Sequence, residues 1–111
     1  MAIPTFQMVW KKIIEDLKKR DRISTLVRKI VNEIISVTID GIEFRSSLTD
    51  KSRIVPKEQF NEVWNELVSR GRYVAKEHKA YTHSQIICAV YVELGITKPS
   101  FNPLIIYLKR D

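Results

Sequence analysis

Apolar and polar residues alternate along this chain with two different periods, and each period predicts a type of element. Five apolar residues in the middle of the chain recur at intervals of three and four, which places them on one face of an α-helix. They are Phe60, Val63, Trp64, Leu67 and Val68. Pro56 suits the first turn of this helix, and Gly71 suits the position just beyond its end. The pattern predicts a helix over 58–70.

A second helix is predicted over 82–94. Thr82 can cap its N-terminus while Gln85 reaches back from the third helical position, which is the arrangement of a capping box. The apolar run 86–92 is also compatible with a buried strand. The capping box before this run and Gly95 after it favour a helix that is buried over most of its circumference.

Two helices are predicted at the N-terminus. The first spans 5–20, with Thr5 as its cap and one apolar face. That face comprises Phe6, Val9, Trp10, Ile13, Ile14 and Leu17. The second spans 24–33, although its β-branched side chains lower helix propensity. Its apolar residues at helical spacing are Leu26, Val27, Ile30, Val31 and Ile34. An antiparallel helical pair over 1–33 would either cap the core or form the interface of a homodimer.

A β-hairpin is predicted around Asp40-Gly41, a dipeptide typical of a two-residue type I′ turn. In this register Val37 lies opposite Phe44, so that one face of the hairpin is apolar and the other polar. A third strand over 52–55 would complete a small antiparallel β-meander over 34–55.

Shorter elements are predicted beyond the central helix. Tyr73-Val74 is long enough for a short strand, and Ala75–Ala80 for one or two helical turns. Two further strands, Ile96-Thr97 and Leu104–Leu108, flank a loop over 98–103 that contains two prolines. The fold predicted from all these elements is α+β, in a single compact domain over 1–111.

The order of the predicted elements over 56–109 resembles the winged-helix form of the helix-turn-helix. That order is helix, strand, short helix, helix, strand, loop, strand, and the resemblance is one of topology without a residue signature. The segment 56–111, which ends in a strand, is therefore predicted to be winged-helix-like. The resemblance implies DNA binding, with the helix over 82–94 in the recognition position.

The resemblance also implies roles for individual residues. Those expected at base edges are Thr82, His83, Ser84 and Gln85. Of these, Gln85 is best suited to read an adenine. Those expected at phosphates are Arg70, Arg72, Lys76 and Lys79, with Lys98 acting as a wing. Two observations weigh against this assignment, since the helix contains no Arg, Lys or Asn and its first polar residues are also explained as a cap.

The charge of the chain indicates anionic partners. Nineteen Lys and Arg residues against thirteen Asp and Glu residues give a formal net charge of +6 at pH 7. Such a protein attracts nucleic acid, an anionic membrane surface or an acidic protein. A secondary basic patch is predicted near the end of the first helix. It would either bind phosphate or pair with the acidic face of helix 58–70. It comprises Lys18, Lys19, Arg20 and Arg22.

Other features exclude several classes of protein. No apolar stretch is long enough to cross a bilayer, and the N-terminus lacks the pattern of a signal peptide. The single Cys88 leaves no disulfide within the chain and indicates a reducing, cytoplasmic location. His78, His83 and Cys88 are spaced by five, whereas ligands on one helix face are spaced by three or four. Neither a metal nor another cofactor is predicted.

No catalytic motif is present, and the chain is predicted not to be an enzyme. The favoured hypothesis is a small basic protein that binds double-stranded DNA, as a transcriptional or defence-related regulator. The alternative is a protein-interaction module, meaning a small subunit, inhibitor or adaptor that docks through exposed aromatic residues. The candidate anchors are Trp10, Trp64, Tyr73, Tyr81 and Phe101. Basic residues that converge on one face would favour DNA, and an exposed aromatic patch would favour a protein.

Overall fold

The computed structural model describes residues 3–75 and 83–109. Within these ranges the chain is α+β, with three helices and two antiparallel sheets. The elements follow in the order α1 (Phe6–Lys18), β1 (Arg22–Ser24), β2 (Val31–Val37), β3 (Gly41–Ser46), β4 (Ser52–Pro56), α2 (Lys57–Arg70), β5 (Arg72–Val74), α3 (Ser84–Glu93), β6 (Thr97–Ser100) and β7 (Ile105–Leu108).

Helix α1 confirms the first predicted helix. Thr5 has an extended backbone at the N-cap, and its Oγ1 accepts a hydrogen bond from the backbone N–H of Met8 at 3.3 Å. The buried residues of the helix all belong to the predicted apolar face. They are Val9, Trp10, Ile13 and Leu17.

The predicted second helix over 24–33 is wrong, and the architecture of two N-terminal helices followed by a meander is wrong with it. β1 pairs antiparallel with β2, and residues 25–30 connect the two strands. Thr25 closes this connection: its N–H donates to Ile30 O at 3.0 Å, and its Oγ1 accepts from Ile30 N at 3.0 Å. Lys29 adopts a left-handed φ of 56°, which a continuous α-helix does not allow.

Strand pairing explains why the helical spacing of this segment was misleading. Val31 and Ile34 lie in β2, where β-branched side chains suit a pleated strand better than a helix. β2 gains hydrogen bonds on both sides, because it pairs with β1 and with β3. The N-terminal third is therefore one helix followed by a hairpin. The helical pair on which a dimer interface was predicted does not form.

The turn between β2 and β3 also differs from its prediction. Thr38 N donates to Gly41 O at 3.0 Å, so the turn consists of Ile39 and Asp40 and not of Asp40-Gly41. The side chain of Thr38 stabilises this choice, because its Oγ1 accepts from the N–H groups of Asp40 and Gly41, each at 3.2 Å. Ile39 consequently lies at the tip of the hairpin, 73% exposed.

The register of the hairpin shifts with the turn. Val37 pairs with Ile42 instead of Phe44, and a bulge after Ile34 brings Ile34 opposite Phe44. The core face predicted for β3 is nevertheless correct, since Ile42 and Phe44 are both fully buried. β4, which confirms the third predicted strand, pairs with β3 and completes a sheet in the order β1-β2-β3-β4.

Helices α2 and α3 confirm the two helices predicted in the second half of the chain. α2 ends at Gly71, which has a left-handed φ of 77° and donates its N–H to Leu67 O at 2.8 Å. Phe60 and Trp64 on its inner face are buried. α3 begins at Ser84, and its predicted cap, Thr82, lies outside the described residues.

Strands β5, β7 and β6 form a three-stranded antiparallel sheet in that order. β6 extends to Ser100, so the predicted loop over 98–103 is reduced to the connection 101–104. α2 packs against β5 and β7, and α3 packs against β6. Most of the predicted turns over Ala75–Ala80 lie outside the described residues.

One hydrophobic core joins both sheets and all three helices. A series of aromatic contacts runs through it. Trp10 of α1 lies 5.3 Å from Phe60 of α2 between ring centroids, and Tyr91 of α3 lies 6.4 Å from Phe60 and 6.1 Å from Trp64. The Tyr91 hydroxyl donates to Phe60 O at 2.7 Å, which satisfies its only buried polar group.

Substitution of Gly41 tests the observed register. Gly41 lies opposite Pro56, and a Cβ at this position would stand 2.8 Å from the carbonyl oxygen of Val55. We expect Gly41→Ala to lower the free energy of unfolding by about 1–3 kcal/mol, because β3 and β4 must move apart. Urea denaturation measures the change. Ile39→Ala in the neighbouring turn is the control, expected within about 0.5 kcal/mol of wild type. A fully stable Gly41→Ala protein would contradict this pairing.

Candidate nucleic-acid interface

The N-terminus of α3 does not offer the set of side chains predicted to meet base edges. Ser84 is only 3% exposed, so its hydroxyl faces the protein interior. Gln85 is half-buried. Seven of the ten residues of α3 are buried, including the whole run from Ile86 to Tyr91. The helix is therefore a core element, in which Gln85 and Val92 are partly exposed and Glu93 is exposed.

His83 occupies the N-cap of α3, and its side chain is hydrogen-bonded within the protein. Its Nδ1 lies 2.7 Å from Oε1 of Gln59 on α2. Burial lowers the pKa of His83, and the positive charge of Arg53 lowers it further. Burial also lowers the pKa of the Arg53 guanidinium, which nevertheless remains charged at neutral pH. His83 is therefore neutral at pH 7 and adds no positive charge for a phosphate.

The outer face of the three-stranded sheet brings two predicted phosphate contacts together. Tyr107 on the central strand β7 pairs with Arg72 on one side and with Lys98 on the other. Cross-strand partners point to the same face of a sheet, and all three side chains are exposed. Tyr73, the residue after Arg72, and Ile106, the residue before Tyr107, are buried on the opposite face. Residues as many as 35 positions apart in the chain thus form one row, Arg72–Tyr107–Lys98.

Lys109 extends the positive charge of this row. Its N–H donates to Ile96 O at 2.9 Å, so the ladder continues past the end of β7 and the alternation places Lys109 on the face of Tyr107. The second row of the same face is uncharged and consists of Val74, Ile105 and Ser100. We call the surface formed by Arg72, Tyr107, Lys98 and Lys109 the basic face. Strands β5, β6 and β7 contain no Asp or Glu.

The remaining predicted phosphate contacts have different positions. Arg70 is exposed at the last position of α2, two residues before Arg72. Lys76 and Lys79 lie outside the described residues. The outer side of α2 carries Glu58 and Glu62, both exposed, whereas the charged residues of strands β5, β6 and β7 are all basic.

The secondary basic patch is partly neutralised. Arg20 donates from Nε to Asp16 at 2.9 Å and lies 3.2 Å from Glu93 of α3, so it ties α1 to α3. These two carboxylates raise its pKa, with the Asp16 hydrogen bond as the largest cause. Lys18 and Lys19 are exposed at the end of α1, and Arg22 is exposed on β1 opposite Glu33. Acidic side chains are therefore interspersed with this patch, unlike the basic face.

Most of the candidate anchors for a protein partner are core residues. Trp10, Trp64 and Tyr73 are each at most 5% exposed. Tyr81 lies outside the described residues. Phe101, in the connection between β6 and β7, is 48% exposed.

Tyr107 is the site residue that sequence reasoning missed. Its segment, Leu104–Leu108, is apolar almost throughout and carries no alternation that marks one side as outward. Pairing with β5 and β6 and the burial of Ile106 in the core together decide which face Tyr107 occupies. Tyr107 could have been recognised from the sequence only if the pairing of its strand with the strands of Arg72 and Lys98 had been known. Neither of those short strands specifies its register by its own sequence.

Comparison with family models, curated proteins and solved structures finds no match for this chain. Within residues 3–75 and 83–109, no group of three His, Cys, Asp or Glu side chains is arranged to hold a metal ion. No helix in the same described ranges is both long and apolar enough to cross a membrane.

Cys88 lies fully buried in the middle of α3. Burial raises the pKa of its thiol to about 12, because the thiolate would lose its hydration. The thiol is therefore protonated at neutral pH, consistent with a packing role.

We expect Cys88 in the folded protein to resist a thiol-specific reagent at pH 8, because the side chain is both inaccessible and protonated. The reagent should react at the rate of a free thiol once the protein is unfolded in urea. Absorbance of the released product measures the rate in both states. Rapid labelling of the folded protein would contradict the placement of α3 in the core.

The lowered pKa of His83 makes the stability depend on pH. Below the usual value of 6.5, the unfolded chain binds a proton at His83 that the folded chain does not bind. The free energy of unfolding should therefore fall as the pH falls through the interval just below 6.5. His83→Gln, which cannot titrate, should lose less stability over this interval in urea denaturation. Parallel pH profiles for the two proteins would rule out a depressed pKa at this residue.

Proposed function

We propose that this chain is a small DNA-binding protein and that the basic face is its phosphate-contacting surface. The observation that supports this most is the convergence of Arg72, Lys98 and Lys109 on one side of a sheet without acidic residues. Cations that converge from separate parts of the chain provide the field and the contacts that a phosphate backbone needs. The net charge of +6 acts in the same direction.

The proposal changes the mechanism expected from the sequence. A largely buried α3 does not suit insertion along a groove, so the contacts that position the DNA are assigned to the sheet. Arg70 is retained as a neighbouring phosphate contact, and Gln85 as the residue of α3 best placed to read a base. The winged-helix resemblance is part of the proposal, and the hairpin of β6 and β7 would then serve as the wing. A cytoplasmic location is proposed on the single free Cys88.

A protein-interaction module is the second candidate, and exposed apolar residues of the four-stranded sheet favour it. Within the described residues β4 pairs with β3 alone, and its Ile54 is 64% exposed. Leu48, in the connection between β3 and β4, is exposed as well. An edge strand with apolar side chains can add a strand from a partner. This surface involves none of the residues of the basic face.

Paired substitutions test the DNA proposal. We expect Arg72→Ala plus Lys98→Ala to weaken binding to duplex DNA, and to reduce the slope of log K against log salt concentration by about 2. The physical reason is that two phosphate contacts, and the counterions they release, are lost. Fluorescence anisotropy of a labelled duplex across a salt series measures both quantities.

Lys11→Ala plus Arg28→Ala is the matched control. It removes the same charge from exposed positions on α1 and in the connection between β1 and β2. Its salt slope should stay near that of wild type. Equal losses in the two variants would mean that net charge alone drives binding. Absence of binding by the wild-type protein at low salt would overturn the DNA proposal and leave the protein-interaction module.

A further inference from the structure

We propose that the basic face binds single-stranded nucleic acid in preference to duplex, by stacking an unpaired base on the ring of Tyr107. This inference rests on the proposed function, because it assigns a substrate class to the same surface. It concerns Tyr107, the aromatic residue of the basic face. Phosphate contacts by the cations do not explain its position there.

The position of Tyr107 suits a stacking platform. It lies on the central strand, so the neighbouring strands hold its backbone on both sides. Its side chain is 39% exposed. Among residues 3–75 and 83–109, the series of ring contacts in the core joins Phe6, Trp10, Phe60, Trp64 and Tyr91 and does not include Tyr107. On the opposite face of the same strand, the neighbouring Ile106 is fully buried in the core.

The flanking cations complete the arrangement. Neighbouring strands are about 4.8 Å apart, so the backbones of Arg72 and Lys98 lie within roughly 10 Å of one another across Tyr107. A base on the ring would thus have a cation on either side for the phosphates that precede and follow it. Aromatic side chains combined with such cations are what single-strand binding proteins use, and stacking tolerates any base.

A duplex cannot use this arrangement fully. Its bases are stacked on one another and paired, so it would offer only phosphates to Arg72, Lys98 and Lys109. The basic face is also built from strands β5, β7 and β6, and none of the three described helices forms part of it. A single strand would therefore engage the cations and the ring, whereas a duplex would engage the cations alone.

Substitution of Tyr107 tests the proposal, with a labelled oligothymidylate and a duplex of matched length as probes. Wild type should bind the oligothymidylate more tightly than the duplex. Tyr107→Leu should weaken the single-strand complex about tenfold, the effect of losing one stacked base. It should leave the duplex complex and both salt slopes unchanged. Tyr107→Phe, which retains the ring, should bind like wild type. Circular dichroism and urea denaturation establish that each variant is folded.

The outcomes separate this inference from the proposed function. If Arg72→Ala plus Lys98→Ala weakens binding while Tyr107→Leu changes neither complex, the phosphate surface stands and the stacking platform fails. Stacking would also be overturned if Tyr107→Leu weakened single-strand and duplex binding by the same factor. The same holds if Tyr107→Phe weakened single-strand binding as much as Tyr107→Leu does. If wild type binds neither probe at low salt, both proposals fail.

Photo-crosslinking provides a second test that does not depend on a variant folding. Oligothymidylate in which bromouracil replaces thymine should crosslink to wild-type protein within the peptide that contains Tyr107. Mass spectrometry locates the crosslink. Crosslinks confined to peptides outside β5, β6 and β7 would place the bases elsewhere and overturn the proposal.

Discussion

The burial of Tyr91 on α3 is the interaction on which the rest of this structure depends. Its ring contacts Phe60 and Trp64 of α2, and its hydroxyl donates to the backbone of α2 at Phe60. Through Phe60 the same series of rings reaches Trp10 of α1. Without a partner the buried hydroxyl would carry a desolvation cost, so the hydrogen bond fixes how α3 lies against α2. This packing buries α3 between the other elements, and β1 of the four-stranded sheet and β6 of the three-stranded sheet both contact it.

The burial of α3 determines which surfaces remain for function. A helix with seven of ten residues buried has little left to present to DNA, and Ser84 illustrates this because its hydroxyl is inside. The three-stranded sheet has the opposite property. One of its faces is covered by α2 and α3, which leaves the other to the solvent with Arg72, Tyr107 and Lys98 in one row. For this physical reason the proposed DNA contacts are assigned to the three-stranded sheet and not to α3.

Local patterns predicted the elements whose formation depends on nearby residues. The face of Phe60 and Trp64 with Gly71 at its end specified α2, and Thr5 specified the start of α1. The same logic failed at 24–33, because helical spacing of apolar residues carried less weight than the β propensity of Val31 and Ile34 and the pairing of β2 with two neighbours. It failed by one residue at the hairpin turn, where the Thr38 side chain stabilises an Ile39-Asp40 turn instead of the Asp40-Gly41 turn that local propensity favours.

The sequence by itself determined that this chain is α+β and basic, with α1, α2 and α3 near their observed positions. It also supplied Arg70, Arg72 and Lys98 as candidate contacts. Only the tertiary structure decided that Arg72 and Lys98 share a face, that Tyr107 stands between them, and that Arg20 is occupied by Asp16 and Glu93. The physical reason is that helix periodicity and capping act over a few residues, whereas strand register and the ion pair of Arg20 with Glu93 join residues far apart in the chain. Strands as short as β5 and β6 carry too little alternation to specify their partners, so the packing of the whole domain specifies them.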